Sequence, residues 1–187
     1  MSLKLSRAII FFGLYLIFTN SNANEKSKIT NKLKNIDNIQ FKFTQKTNEN
    51  IEKGICVLVF PNKLKCNYED KNKKELIINK KMMAITQKRY GKTLFYPLSK
   101  STFMNILSKD ELIKIINESD TFIDDYFNIV FMNEVNSKTL IRFDKENFLL
   151  AGWISSDQYN NQVTFDIEIN SINQIIDKKI FTLPGRN

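Results

Sequence analysis

The chain has 187 residues, with 28 Lys and Arg against 20 Asp and Glu, two cysteines and no histidine. The missing histidine removes the commonest general base, the His-activated nucleophiles and the commonest zinc ligand. The five glycines form no phosphate-binding loop, so the expectation is no enzyme, no cofactor and no metal site. The excess charge is almost all Lys, whereas nucleic-acid surfaces draw on Arg; a solvated surface is expected, with no nucleic-acid partner.

The chain opens with a basic head (Lys4, Arg7), an apolar run over residues 8–18 and the small-residue end Ser21-Asn22-Ala23. That order is the pattern of a cleaved export signal, and the run falls short of the ~20 residues of a membrane span. The expected division is a signal peptide at 1–23, cleaved near Ala23, and an exported soluble domain at 24–187. About 160 residues suffice for one domain with a real core.

Ile29, Leu33 and Ile36 recur at helical spacing among Lys and Asn and predict a short amphipathic helix. Strands then dominate. Ile39, Phe41 and Phe43 alternate with polar residues at period two. An apolar run at 55–60, a turn at Pro61-Asn62-Lys63 and a strand at 64–68 follow. Further short strands are expected at 76–78, 82–86 and 93–96, with reversals at 79–81 and 89–91. Residues 99–117 break the rhythm: Phe103, Ile106 and Leu107 fit one helical face and Leu112, Ile115 and Ile116 another, with an N-cap at 108–111 between them. Strands resume at 121–133, 140–144, 148–155, 163–169 and 180–182. Asp124 and Asp125 fall within the first of these, where neighbours point to opposite faces, a poor geometry for paired acid–base work. Cys56 and Cys66 lie either side of the turn at 61–63, and an exported chain can oxidise them. A bridge and a pair of small apolar fillers both fit.

The fold class read from this order is mainly β (α+β). Many antiparallel strands with one dry face must curl, and the three short helices are the candidates to cover that face. The product is an incompletely closed antiparallel half-barrel with a helical lid. Its periodicity is the same whether the interior is a packed core or a cavity.

The segment order resembles the LolA family of periplasmic lipoprotein carriers. Phe41-Lys42-Phe43-Thr44-Gln45-Lys46 is similar to that family's first strand. Gly54 and Pro61 resemble the residues bracketing the second strand, and Leu64-Lys65-Cys66-Asn67-Tyr68 the third. Tyr96-Pro97-Leu98-Ser99, with Phe103-Met104 and Ile106-Leu107, resembles the start of the lid insert; residues 150–153, Asp157, Thr164 and Phe181 fit the closing strands.

The resemblance implies an apolar cavity for the acyl chains of lipoproteins, received from an inner-membrane lipoprotein-releasing ABC transporter and passed to an outer-membrane receptor by a periplasmic monomer. If Leu64 stands where the family has a cavity aromatic, alternation turns Leu64, Cys66 and Tyr68 inward, with Leu58 and Phe60 across the turn and Phe43 on the first strand. The lid residues are then Ile29, Leu33, Ile36, Phe103, Met104, Ile106 and Leu107. Two departures leave room for a carrier or sensor of another periplasmic lipid. Phe60 stands where the family often has an Arg tying barrel to lid, which implies a lid held by apolar contact or latched by another residue. The chain also ends soon after its last expected strand, where some members extend. An exported β-domain that binds a non-lipid partner is the alternative from a different class.

Overall fold

The computed structural model describes residues 20–98, 103–132, 138–157 and 159–185. Residues 1–19 of the expected export signal lie outside these. The four residues up to the expected cleavage point open a helix, α1 (Asn20–Lys34), in which Ala23 and Asn24 are exposed.

Eleven strands follow. β1 (Asn38–Thr47), β2 (Asn50–Val59), β3 (Lys63–Tyr68), β4 (Lys74–Asn79), β5 (Met82–Gln87) and β6 (Lys92–Pro97) form one antiparallel meander. After helices α2 (Phe103–Leu107) and α3 (Lys109–Glu118), a second meander comprises β7 (Asp120–Ile123), β8 (Phe127–Met132), β9 (Lys138–Phe143), β10 (Leu150–Ser156) and β11 (Gln162–Ile172). The last strand returns beside the first, so the sheet order is β6-β5-β4-β3-β2-β1-β11-β10-β9-β8-β7. The end strands β6 and β7 do not pair, so the sheet is an antiparallel half-barrel that stays open, as the alternation and strand count predict.

The expected strand at 121–133 is two strands. Between them the Asp124 carboxylate accepts from the Tyr126 backbone N–H and from Asn128 Nδ2, both at 2.8 Å, an Asx turn that reverses the chain. The expected strand at 180–182 is instead a 3-10 turn, Lys178–Phe181, capped by Asp177. The ladder partners of β11 are already β1 and β10, so a further strand has no free edge beside it. The segment lies against β3 and β4. Phe181 is wholly buried there, and Asn79 Nδ2 donates to its carbonyl at 3.1 Å. Ile77 and Ala84, paired across β4 and β5 and also buried, occupy the same outer face as Asn79 by strand parity.

The main core lies on the inner face and runs across the sheet in rows set by register. Ile39, Leu58, Leu64 and Ile78 pair successively from β1 to β4, as do Phe41, Cys56, Cys66 and Leu76. In the second meander Phe165, Trp153, Ile141 and Ile129 continue the pattern from β11 to β8. These side chains share one buried cluster with Ile29, Leu33 and Ile36 and with Leu112 and Ile116 of α3. The helices therefore cover the dry face that the alternation leaves.

Candidate functional site

The concave face is built by period-two alternation on each strand, and it gathers most of the residues the sequence singles out. Phe43, Leu58, Leu64 and Cys66 are buried on it. Tyr68 is packed against the same cluster, half-buried. Phe60 lies just beyond the end of β2, also half-buried, and its backbone N–H donates to the Asp37 carbonyl at 3.0 Å.

Four rings form a continuous row on this face. Tyr68 meets Phe43 edge-on with centroids 4.9 Å apart, Phe43 stacks on Phe165 at 4.9 Å, and Phe165 stacks on Trp153 at 4.2 Å. Such pairs add ~0.5–1.5 kcal/mol each beyond their buried area. Gly54 makes the row possible. It sits opposite both Phe43 and Tyr68, and a Cβ there would lie 2.7 Å from Phe43 Cε1 and closer still to the Asn67 carbonyl oxygen. The ring of Phe43 thus occupies the space a side chain at position 54 would take.

The row ends at a polar rim. Lys74 Nζ stands 3.8 Å from the centroid of the Tyr68 ring and pairs with Glu52, which also faces Gln45. Burial, with Glu52 and Asp70 near, pushes the Tyr68 phenol well above its ordinary range; it stays protonated at any physiological pH.

Cys56 and Cys66 stand directly opposite one another on β2 and β3 and are joined by a disulfide, Cα to Cα 4.1 Å. Of the two readings the sequence leaves open, the bridge is the one realised. It lies on the concave face between Phe41 and Leu76.

The helices carry the other half of the site. Ile29, Leu33 and Ile36 are buried, as are Ile106 and Leu107; the side chains of Phe103 and Met104 lie outside the described residues. Ser108 caps α3, its Oγ accepting from the Glu111 N–H at 3.4 Å, as its sequence position predicts.

The lid is not held by apolar contact alone. Lys109, in the first turn of α3, donates to the Lys34 carbonyl at the end of α1 at 3.3 Å and stands 3.5 Å from Asp37 Oδ1. Its Nζ also lies 5.6 Å from the Phe60 ring centroid. The aromatic ring in place of an Arg therefore still receives a cation, supplied from the lid side. At the other end, Lys26 of α1 donates to the carbonyls of Asn117 and Ser119 at 3.2 and 2.8 Å. Each helix thus lends a lysine to the orphan carbonyls ending the other, which fixes α1 and α3 antiparallel. Between helices and sheet, the Asn62 N–H donates to the Leu107 carbonyl at 2.9 Å.

Sequence reasoning leaves out Phe165 and Trp153 as site members, though their alternation within 163–169 and 150–153 carries the signal, and leaves out Lys109, whose position outside any apolar stripe gives none. Among the described residues no three His, Cys, Asp or Glu side chains converge to hold a metal ion.

Compared with protein-family models and with curated proteins, the sequence matches none. Among solved structures, an uncharacterised conserved protein of Thermus thermophilus matches with a TM-score of 0.51 at 7% identity, over 88% of this chain and 94% of the other. A LolA superfamily protein of Nitrosomonas europaea matches with a TM-score of 0.46 at 10% identity, over 87% and 97%. A putative outer-membrane lipoprotein-sorting protein domain of Vibrio parahaemolyticus matches with a TM-score of 0.47 at 6% identity, over 86% and 97%. At 7% identity the Thermus thermophilus match is a likeness of fold alone, over 88% of this chain.

Proposed function

We propose that the chain is a periplasmic carrier that shields the acyl chains of lipoproteins against the concave face of its sheet. The observation that carries this reading is a continuous aromatic and aliphatic face on a sheet open at both edges, covered by two helices tied to each other at their ends.

The physical task suits the architecture. Burying one methylene is worth ~0.8 kcal/mol, so an anchor with two or three long chains carries on the order of 30 kcal/mol or more of transfer cost. It crosses water only under cover. Release then requires a cover that opens, and lifting helices that are held to the sheet by apolar packing and a few polar contacts leaves the strand ladder intact.

The rest of the reading belongs to the same proposal. The chain is exported, cleaved after Ala23 and works as a monomer. It receives cargo from an inner-membrane lipoprotein-releasing ABC transporter, delivers it to an outer-membrane receptor and performs no chemistry of its own. Phe43, Leu58, Leu64, Cys66 and Tyr68 line the acyl site, with Phe60 at its lid end.

An environment-sensitive fatty-acid probe tests the site. The prediction is saturable binding that Leu64→Glu weakens by placing an unpaired charge in the apolar row. Should Leu64→Glu fail to fold, Met83→Glu serves, since Met83 pairs with Ile78 on the same face and is only half-buried. Absence of saturable binding, or unchanged binding in a folded variant, would place the acyl site elsewhere and end this reading.

A further inference from the structure

One surface feature lies outside the concave face. The turns joining β3 to β4 and β5 to β6 meet at one end of the sheet, where the Arg89 N–H donates to the Asn72 carbonyl at 3.2 Å and the Lys88 N–H to the Lys73 carbonyl at 3.5 Å. The joined turns form an open cleft lined by Lys71, Lys73, Lys88 and Arg89.

Across residues 69–73 and 88–92 there are five cations and two carboxylates. Of the carboxylates, Asp70 accepts from the Lys74 backbone N–H at 2.8 Å, and Glu69 is exposed. Lys88 is shared with buried Glu75 at 2.7 Å. Lys71, Lys73 and Arg89 form no ion pair among the described residues. Beside them Tyr90 is 62% exposed, with Arg89 5.8 Å from its ring centroid.

From this juxtaposition we infer that the two turns form a docking surface for an anionic phospholipid bilayer, with lipid phosphates in the Lys71–Lys73–Arg89 cleft and Tyr90 at headgroup depth. An acidic protein partner would be served by the cations alone. The exposed Tyr90 beside them favours a membrane interface, where amphipathic rings settle and each nearby cation strengthens attachment. The geometry also sets the unpaired edge β6, the start of the concave face, beside the membrane. The inference goes beyond the carrier reading, because docking uses the outside of the turns and is measured without cargo.

The test is co-sedimentation of the whole exported chain with phosphatidylglycerol vesicles and with phosphatidylcholine vesicles at low and moderate salt. Binding to the anionic vesicles alone, weakened by salt, is expected. Lys71→Gln with Arg89→Gln lowers it by about fivefold for each cation, so about twenty-five-fold for the pair, and Tyr90→Ser lowers it further. These positions are exposed, and an unchanged melting temperature confirms that each variant is folded. The control is Lys32→Gln with Lys114→Gln, the same charge change on the exposed faces of α1 and α3, which leaves binding within about twofold. Equal loss in both pairs would reduce the effect to net charge and overturn the site. So would equal binding to the two vesicle types, displacement by inorganic phosphate at the concentration of lipid phosphate, or tight binding to an acidic polypeptide with none to vesicles.

Discussion

Lys109→Met isolates one polar fastening of the lid. Methionine keeps most of the aliphatic stem and removes the charge. Three interactions go with it: the donation to the Lys34 carbonyl at 3.3 Å, the approach to Asp37 at 3.5 Å and the contact with the Phe60 ring at 5.6 Å. Asp37 is largely exposed, so that pair is worth at most ~0.5 kcal/mol. The cation–ring contact adds about 0.5 kcal/mol, and the long, solvent-facing hydrogen bond about 1 kcal/mol. Relief of a cation at the N-terminus of α3 returns a few tenths, on the order of 0.3 kcal/mol. The net loss is about 1.5 kcal/mol, close to a tenfold rise in the population with the lid open. Hydrogen exchange reads this by element. Amides of α1 and α3 should exchange about tenfold faster, while those of β1 and β11, bonded along their length, keep their rates. Equal acceleration in lid and sheet, or none in the lid, would refute Lys109 as the fastening.

Three further outcomes are expected. Gly54→Ala forces a methyl against Phe43 and the Asn67 carbonyl and should cost about 1–3 kcal/mol of stability, read as a lower urea midpoint; an unchanged midpoint would mean the aromatic row shifts freely. Replacing Cys56 and Cys66 together by Ala frees a short loop and should cost about 2–3 kcal/mol by chain entropy, and reductant should then no longer change the midpoint. Glu75→Gln addresses pH. Burial alone would raise the Glu75 carboxyl, but its pairs with Lys88 and Lys65 hold it below the ordinary range. A carboxyl lowered in the folded state stabilises above its unfolded pKa, and that contribution fades as pH falls through the lowered value. Denaturation curves from neutral pH to about pH 3 should therefore decline less steeply in the variant than in the parent, and identical slopes would exclude the pair as an acid-labile element.

The concave face was the most legible part of the fold, because one-sided burial forces period-two alternation and alternation survives in the sequence. Ile39, Phe41 and Phe43 show it, and Ile29 and Leu33 show its helical equivalent; Ile36 is buried as well but lies past the end of α1. Capping was legible too, since the Ser108 hydroxyl accepts from the Glu111 backbone N–H three residues on, a local contact. The misses have separate causes. Asp124 ends a strand through its own side chain, a local effect that a run of apolar neighbours hides. The segment at 180–182 looks like a strand by composition, but its place is decided by which ladder edges are already taken. The Cys56–Cys66 bridge depends on register: positions equidistant from Pro61 pair, Leu58 with Leu64 and Cys56 with Cys66, and turn length rather than hydrophobic pattern sets that. Lys109 reaches across from another helix to Phe60 and Asp37, a tertiary contact between residues with no shared periodicity.

Native mass spectrometry of the protein purified from its own periplasm tests the central claim most directly. A carrier should appear as the processed chain beginning at Asn24 together with a population heavier by one acylated lipoprotein or lipid, which the fatty-acid probe displaces and Leu64→Glu depletes. Recovery of the chain only as its bare mass, from cells whose lipoproteins are in transit, would contradict acyl carriage by the concave face.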